Sequence, residues 1–271
     1  MAPNSIRYVD PDQVPIRDAA TVMLLRDPAD GEPGVEVFVL KRTASAAFGA
    51  GMYVFPGGRV DPEDAGDEIE TFCRGLSDDD ASGQLGIDAG GLAYWVAAIR
   101  ECFEEAGVLL AEPRNGGALD VSDEERVAVH DGELSMAELC RRHDLVLDLT
   151  TTHYVDHWIT PIGEQRRFDT RFFVTDAPDD QVGSHDDAET VDSTWIRPET
   201  ALEMVDAGDL MMMPPTVANL RWLTEFASAD DAVAAGAAKD DVPTTLPKIR
   251  FADDGSIAGV VMPSDPDYDT L

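Results

Sequence analysis

Positions 99–108 read IRECFEEAGV, and Arg100, Glu101, Glu104 and Glu105 are the residues there whose types could do chemistry. Carboxylates three and four positions apart superimpose on one side of a helix. Like charges at that spacing cost roughly 0.2–0.5 kcal/mol per pair. No lysine on this stretch offsets them, and Arg100 is the one cation nearby. Two readings are open at this point, a solvated acidic face or a site for a hard cation. Oxygen donors on a rigid helix suit Mg²⁺ or Mn²⁺ and do not suit zinc.

The helix itself is legible from its period. At about 100° per residue, Trp95, Val96, Ile99, Cys102, Phe103 and Ala106 fill one arc that must face a core. The glutamates fall on the opposite arc with Tyr94, Ala97 and Ala98, and Gly107 follows as a C-cap. Upstream, the short strand MYVF at 52–55 runs into PGGR, where Gly57 and Gly58 let the backbone turn sharply and expose a carbonyl. Residues 18–26 and 35–42 flank the turn cluster DPADGEPG and read as a hairpin. Further strands are expected at 153–160, 167–175 and 191–196. Helices are expected at 198–207 and, opened by a proline pair, at 215–228. Helices interspersed with hairpin-like strands imply a mixed sheet covered by helices on both faces.

Two stretches interrupt this pattern. Residues 65–91 are acidic and glycine-rich, an inserted loop with one short helix, and 112–148 is a second insertion carrying two helices. The main domain is therefore expected over 14–228. An acidic extension, 229–271, follows: 229–243 reads as a mobile Ala/Asp-rich tail, and a DG turn near the end marks a terminal hairpin.

Composition narrows the partners. The chain has 271 residues, 44% of them hydrophobic, enough for a sizeable core. Acidic residues number 54 against 20 basic, a net charge of −34. Such a surface repels nucleic-acid phosphates, so no nucleic-acid partner is expected. Small anionic substrates fit only where basic residues or cations neutralise the field locally. No apolar run is long enough to span a bilayer, so no membrane partner is expected. The opening MAPNSIRYVD lacks the basic and apolar regions of a secretory signal. Three widely spaced cysteines, Cys73, Cys102 and Cys140, argue against a disulfide framework and for a reducing, cytoplasmic setting. A homodimer is compatible with the sequence.

GGRVDPED followed by RECFEEAGV resembles the signature of the Nudix hydrolases. Its pieces here are Gly58, Asp64, Arg100, Glu101, Cys102, Glu104, Glu105, Gly107 and Val108. Three departures stand out: Asp64 replaces the usual glutamate, Cys102 takes an aliphatic position, and the normally short spacer runs from 65 to 99. An interrupted box of this kind is similar to one subgroup, the coenzyme A diphosphatases. The stretch LKRTASAAFGAGMYVFPGG is similar to that subgroup's upstream motif without matching it fully.

The resemblance implies an α+β fold, a mixed sheet sandwiched between helices, and hydrolysis of a diphosphate linked to another moiety with Mg²⁺ or Mn²⁺. It implies Glu101, Glu104, Glu105 and the Gly57 carbonyl as metal ligands, with Arg100 orienting the glutamates. It also implies a downstream carboxylate as ligand or general base, with Glu189 the candidate and Asp186 and Asp187 as alternatives. Coenzyme A or acyl-CoA is the favoured small-molecule substrate. An NADH or ADP-ribose pyrophosphatase, or a non-catalytic binding module, are the competing readings. Retention of all three box glutamates argues against the last.

Arginines supply the expected phosphate contacts. In RFDTRFFV, Arg167, Asp169 and Arg171 share one strand face, where paired guanidiniums suit phosphates. Arg42, beside Lys41 at the end of strand 35–42, is a second contact. His153 and His157 are read as core or edge histidines.

Overall fold

The computed structural model describes residues 14–46, 49–186, 188–252 and 255–270. Period-two alternation organises its main sheet. In β1 (Ile16–Arg26), Ala20, Val22 and Leu24 join one core, while Met23 and Leu25 join another on the opposite face. β2 (Glu36–Arg42), β8 (His153–Ile159), β9 (Arg167–Asp176), β10 (Thr190–Ile196) and β11 (Thr244–Thr245) complete the order β10-β2-β1-β9-β8-β11. β1 runs parallel to β9 and antiparallel to β2, so the sheet is mixed.

The sheet is split where the site lies. β2 pairs with β1 only at Leu25↔Val37 and Arg26↔Glu36. Lower down, β1 takes β4 (Gly57–Arg59) as its partner at Ala19–Thr21, and β2 takes β3 (Tyr53–Val54). The chain segment carrying the glycine pair is thus wedged between two strands that diverge.

Helices cover both faces, an α+β sandwich. α6 (Pro198–Ala207), α7 (Pro214–Leu223) and α8 (Ala229–Ala237) pack on the face carrying Met23 and Leu25. α3 (Leu92–Ala106) covers the other, with the Trp95 and Phe173 rings 4.7 Å apart. Residues 229–243 depart from the mobile tail that composition suggested. Ala232 is fully buried, a Cβ on Gly236 would lie 2.7 Å from Val174, and β11 extends the sheet. Small residues let α8 lie close on β8 and β9, and this packing orders the stretch. The terminal hairpin forms as β12 (Lys248–Phe251) with β13 (Ile257–Val261).

The insertions fold together. The first contributes α1 (Asp67–Glu70), β5 (Cys73–Arg74) and α2 (Asp78–Leu85), more structure than one short helix. The second contributes α4 (Asp123–His130) and α5 (Met136–His143), flanked by β6 (Ala111–Pro113) and β7 (Leu145–Asp148). A three-stranded sheet ordered β5-β7-β6 joins them. Leu85, Leu139 and Leu147 pack into the same core as α3, which lies between the main sheet and this layer. Among the described residues, no helix is long and apolar enough to cross a membrane.

Candidate active site

Every residue of α3 except Glu101 is buried. The solvated face allowed by helical phasing is therefore not formed, because that arc turns toward β4. Gly57 donates its N–H to Glu105 Oε2 at 2.9 Å. Gly58 lies against Glu101 so closely that a Cβ there would meet Oε1 at 2.4 Å. Gly58 needs glycine for that approach, a Cβ on Gly57 would lie 2.6 Å from Ala20 and Thr21 of β1, and Gly107 ends the helix at φ 68° as a left-handed cap.

Arg100 joins the two halves of the interrupted motif. Its Nε and Nη2 donate to Asp64 Oδ1 and Oδ2, each at 2.8 Å, in a bidentate pair. Nη1 donates to Glu101 Oε1 at 2.9 Å and Glu104 Oε1 at 3.1 Å, and Nη2 also reaches the Arg59 carbonyl at 2.7 Å. Asp64 is buried at the end of a 3-10 turn, Pro62–Asp64, and its Oδ2 caps the Asp61 N–H at 2.8 Å. Aspartate in place of glutamate thus still reaches the arginine across the 65–99 spacer.

Buried negative charge exceeds its compensation. Burial, and then the neighbouring charge of Glu104, push the Glu101 carboxyl up to about 8 against the pull of Arg100. Burial and the charge of Glu101 raise Glu105 well above the ordinary range. Burial also raises Glu104 and Asp64. Arg42 Nη1 stands 4.0 Å from Glu105 Oε1, and its Nη2 lies 3.4 Å from Glu189 Oε2. Arg42 Nε is buried with no hydrogen-bond partner.

The donor set is oxygen-only with surplus negative charge, and that fits a hard divalent cation. Among the described residues, no group of three His, Cys, Asp or Glu side chains is gathered as a metal cage. Glu101 and Glu105 face the glycine turn; Arg100 engages both Glu101 and Glu104, and Glu104 also lies 3.8 Å from His130 Nδ1. A pair of carboxylates suits Mg²⁺, which is commonly held by one or two of them together with water and substrate phosphates.

The other expected residues separate. Glu189 joins the cluster through Arg42, and its carbonyl accepts from the Thr43 N–H at 3.0 Å. Asp186 is a loop anchor: its Oδ1 accepts from the N–H groups of Ala188, Glu189 and Thr190 at 3.0, 3.1 and 2.9 Å. Asp187 lies outside the described residues. Arg171 contacts Asp169 and His157 and lines a cleft. Arg167 does not join it; its Nε donates to the Thr160 carbonyl at 3.0 Å. Four residues at about 3.3 Å each set the two arginines some 13 Å apart along β9, so sharing a face does not bring them to one ligand. His157 is buried and meets Asp169 at 2.6 Å and Thr244 at 2.8 Å, a structural setting.

Two residues escaped sequence reasoning. Arg126 of α4 donates from Nε to the Glu104 carbonyl at 2.9 Å and from Nη2 to the Ser184 carbonyl at 3.0 Å, tying the end of α3 to the loop that carries Glu189. His130 approaches Glu104 from the same helix. Their i,i+4 spacing, which puts both on one face, was the signal available.

Residues 72–223 match the family model of the NUDT19 Nudix domain, more than half of the chain. The chain belongs to the Nudix hydrolases. The glycine turn and Asp64 precede the matched segment, and Arg100 connects them to it. The chain is 28% identical over 274 residues to the human acyl-coenzyme A diphosphatase NUDT19, covering 87% of this chain and 72% of that protein. The Gallus gallus protein of that name is also 28% identical, over 319 residues, with 93% and 81% covered. The crystal structure of a NUDIX hydrolase from Alicyclobacillus acidocaldarius superimposes with a TM-score of 0.69 at 28% identity, covering 82% of this chain and 97% of that one. Nudix hydrolases in general use a divalent metal, in keeping with the oxygen-rich cluster.

Proposed function

We propose that this Nudix hydrolase cleaves the diphosphate of coenzyme A and its acyl esters with Mg²⁺ or Mn²⁺. The observation that carries the reading is the Arg100 junction. It restores a complete carboxylate cluster across an interrupted box, in a chain whose curated relatives are called acyl-coenzyme A diphosphatases.

In this reading Glu101, Glu104, Glu105 and the backbone at Gly57 hold the cation. When bound, it neutralises the diphosphate and lowers the pKa of attacking water. Arg100 keeps Glu101 and Glu104 in register with the helix and with Asp64. Arg42 offers its guanidinium to a phosphate oxygen, and Glu189 accepts the proton of the attacking water. Water oxygen joins phosphorus, the bridging phosphorus–oxygen bond breaks, and the two products are 4′-phosphopantetheine, acylated or free, and adenosine 3′,5′-bisphosphate.

The test is a panel of coenzyme A, acyl-CoA, NADH and ADP-ribose with each metal, run on wild type and Glu104→Gln. Wild type is expected to favour the CoA compounds, and the variant to lose at least about a hundredfold in kcat. Equal rates in the two proteins, or turnover of NADH or ADP-ribose alone, contradict the reading.

A further inference from the structure

A cleft of about 560 Å³ opens on the N-terminal side of the carboxylate cluster, between α3, the N-terminal half of β1, β9 and the first insertion. Asp61 on its rim lies 3.8 Å from Arg100 Nη2, so the cleft begins one side chain from the cluster. Tyr94, also lining it, precedes Glu101 by two helical turns, about 10 Å along the axis.

The lining is of two kinds. Val60, Pro62, Ala65, Ile87, Ala89 and Ala93 supply small apolar contacts, and Ala65, Ile87 and Ala89 come from the first insertion. Arg171, Tyr94 and the aspartates Asp18, Asp61 and Asp169 supply the polar part, with the guanidinium 5.6 Å from the Tyr94 ring centroid. Arg171 is 4% exposed, and its Nε is buried without a hydrogen-bond partner. A buried donor in this state seeks an acceptor, since leaving it unmade costs roughly 1–3 kcal/mol.

Charge selects which part of a substrate enters. Asp18, Asp61 and Asp169 surround the cleft, and Asp169 already engages Arg171. A phosphate-bearing group is repelled there. On the opposite side of the cluster stands Arg42, 4.0 Å from Glu105 Oε1. That side suits a phosphorylated nucleoside.

We propose that the cleft binds the pantetheine arm and acyl chain of the substrate, with Arg171 Nε donating to an arm carbonyl and the first insertion forming the apolar wall. This rests on the CoA reading above. The interruption of the box is then a specificity element: the residues that separate Asp64 from Arg100 also build the pocket for the uncharged half of the substrate.

The test uses Ala89→Trp, an exposed position on the wall, with acyl-CoA esters of increasing chain length and with S-hexanoyl pantetheine as a phosphate-free inhibitor. Wild type is expected to show KM falling with chain length and competitive inhibition. Ala89→Trp is expected to raise KM for the longer esters about tenfold with kcat retained, and to lose the inhibition. Ile87→Ser reads the same wall if the tryptophan perturbs the loop, and thermal melting checks the fold of both. Wild-type turnover of acyl-CoA with both folded variants unchanged overturns the pocket and leaves the CoA reading standing. No wild-type turnover of any CoA compound removes that reading and the pocket with it.

Discussion

The two sides of the carboxylate cluster differ in kind. Toward β2 and β10 the neighbours are Arg42 and Glu189, charged groups at strand ends. Toward the first insertion they are alanines, Ile87, Tyr94, the aspartates Asp18, Asp61 and Asp169, and a single arginine held by Asp169 and His157. The first side has the Arg42 guanidinium for an anionic ligand, while the second has apolar surface and an orphan donor. In the proposed reading, a strongly acidic protein binds an anion by placing Arg42 on one flank and keeping the apolar wall of the other for the uncharged half of the substrate.

The largest expected effect comes from the point both sides share. Gly58→Ala puts a Cβ at 2.4 Å from Glu101 Oε1, and kcat is expected to fall by about a hundredfold or more. A melting curve close to wild type assigns that loss to the site, and full activity would mean that the close approach has no catalytic role. Behind the site, Leu139→Ala in the fully buried core of the second insertion should cost about 2–5 kcal/mol in urea unfolding. KM is expected to be retained, since Leu139 packs in the core behind α3 and itself lines neither flank, and a raised KM would break the comparison. On the charged flank, Arg42→Ala should weaken kcat/KM about ten- to a hundredfold for every diphosphate tested, whatever its acyl chain. A loss confined to long esters would transfer Arg42 to the other side.

The smallest effect is in pH. Glu101 is held above its ordinary 4.5, up to about 8, so it binds its proton more tightly folded than unfolded. Its contribution to stability is complete below about 4.5 and is lost as pH rises through 8. Chelated protein should melt a few degrees lower at pH 8 than at pH 5 through this group, Mg²⁺ should restore the difference, and Glu101→Gln should flatten it. A variant as pH-dependent as wild type would place the effect elsewhere.

The main elements were legible because they rest on local rules. The apolar arc of α3 and Gly107 gave its limits, and alternation gave β1, β8 and β9. Burial of the glutamate face was not legible, because phasing says only that a face is polar, not that a glycine strand will cover it. The pairing of Asp64 with Arg100 depends on the path of 65–99, and that path is set by strand pairing with a segment beyond residue 140. Arg171 and Arg167 show the converse error: a shared face implies proximity only over neighbouring positions. In α8 a composition typical of mobile segments was overridden by close packing of its small residues on β8 and β9.

The parallel pairing of Cys73 with Leu147 and of Arg74 with Asp148 has a consequence for assembly during synthesis. Asp64 and Arg100 are both made well before β7 emerges, yet the loop between them is anchored through β5 to that later strand. Closing such loops costs entropy that only late contacts recover. The carboxylate cluster is therefore expected to mature after the second insertion has folded, and a nascent chain halted before residue 148 should carry every residue of the split motif without the junction that brings them together.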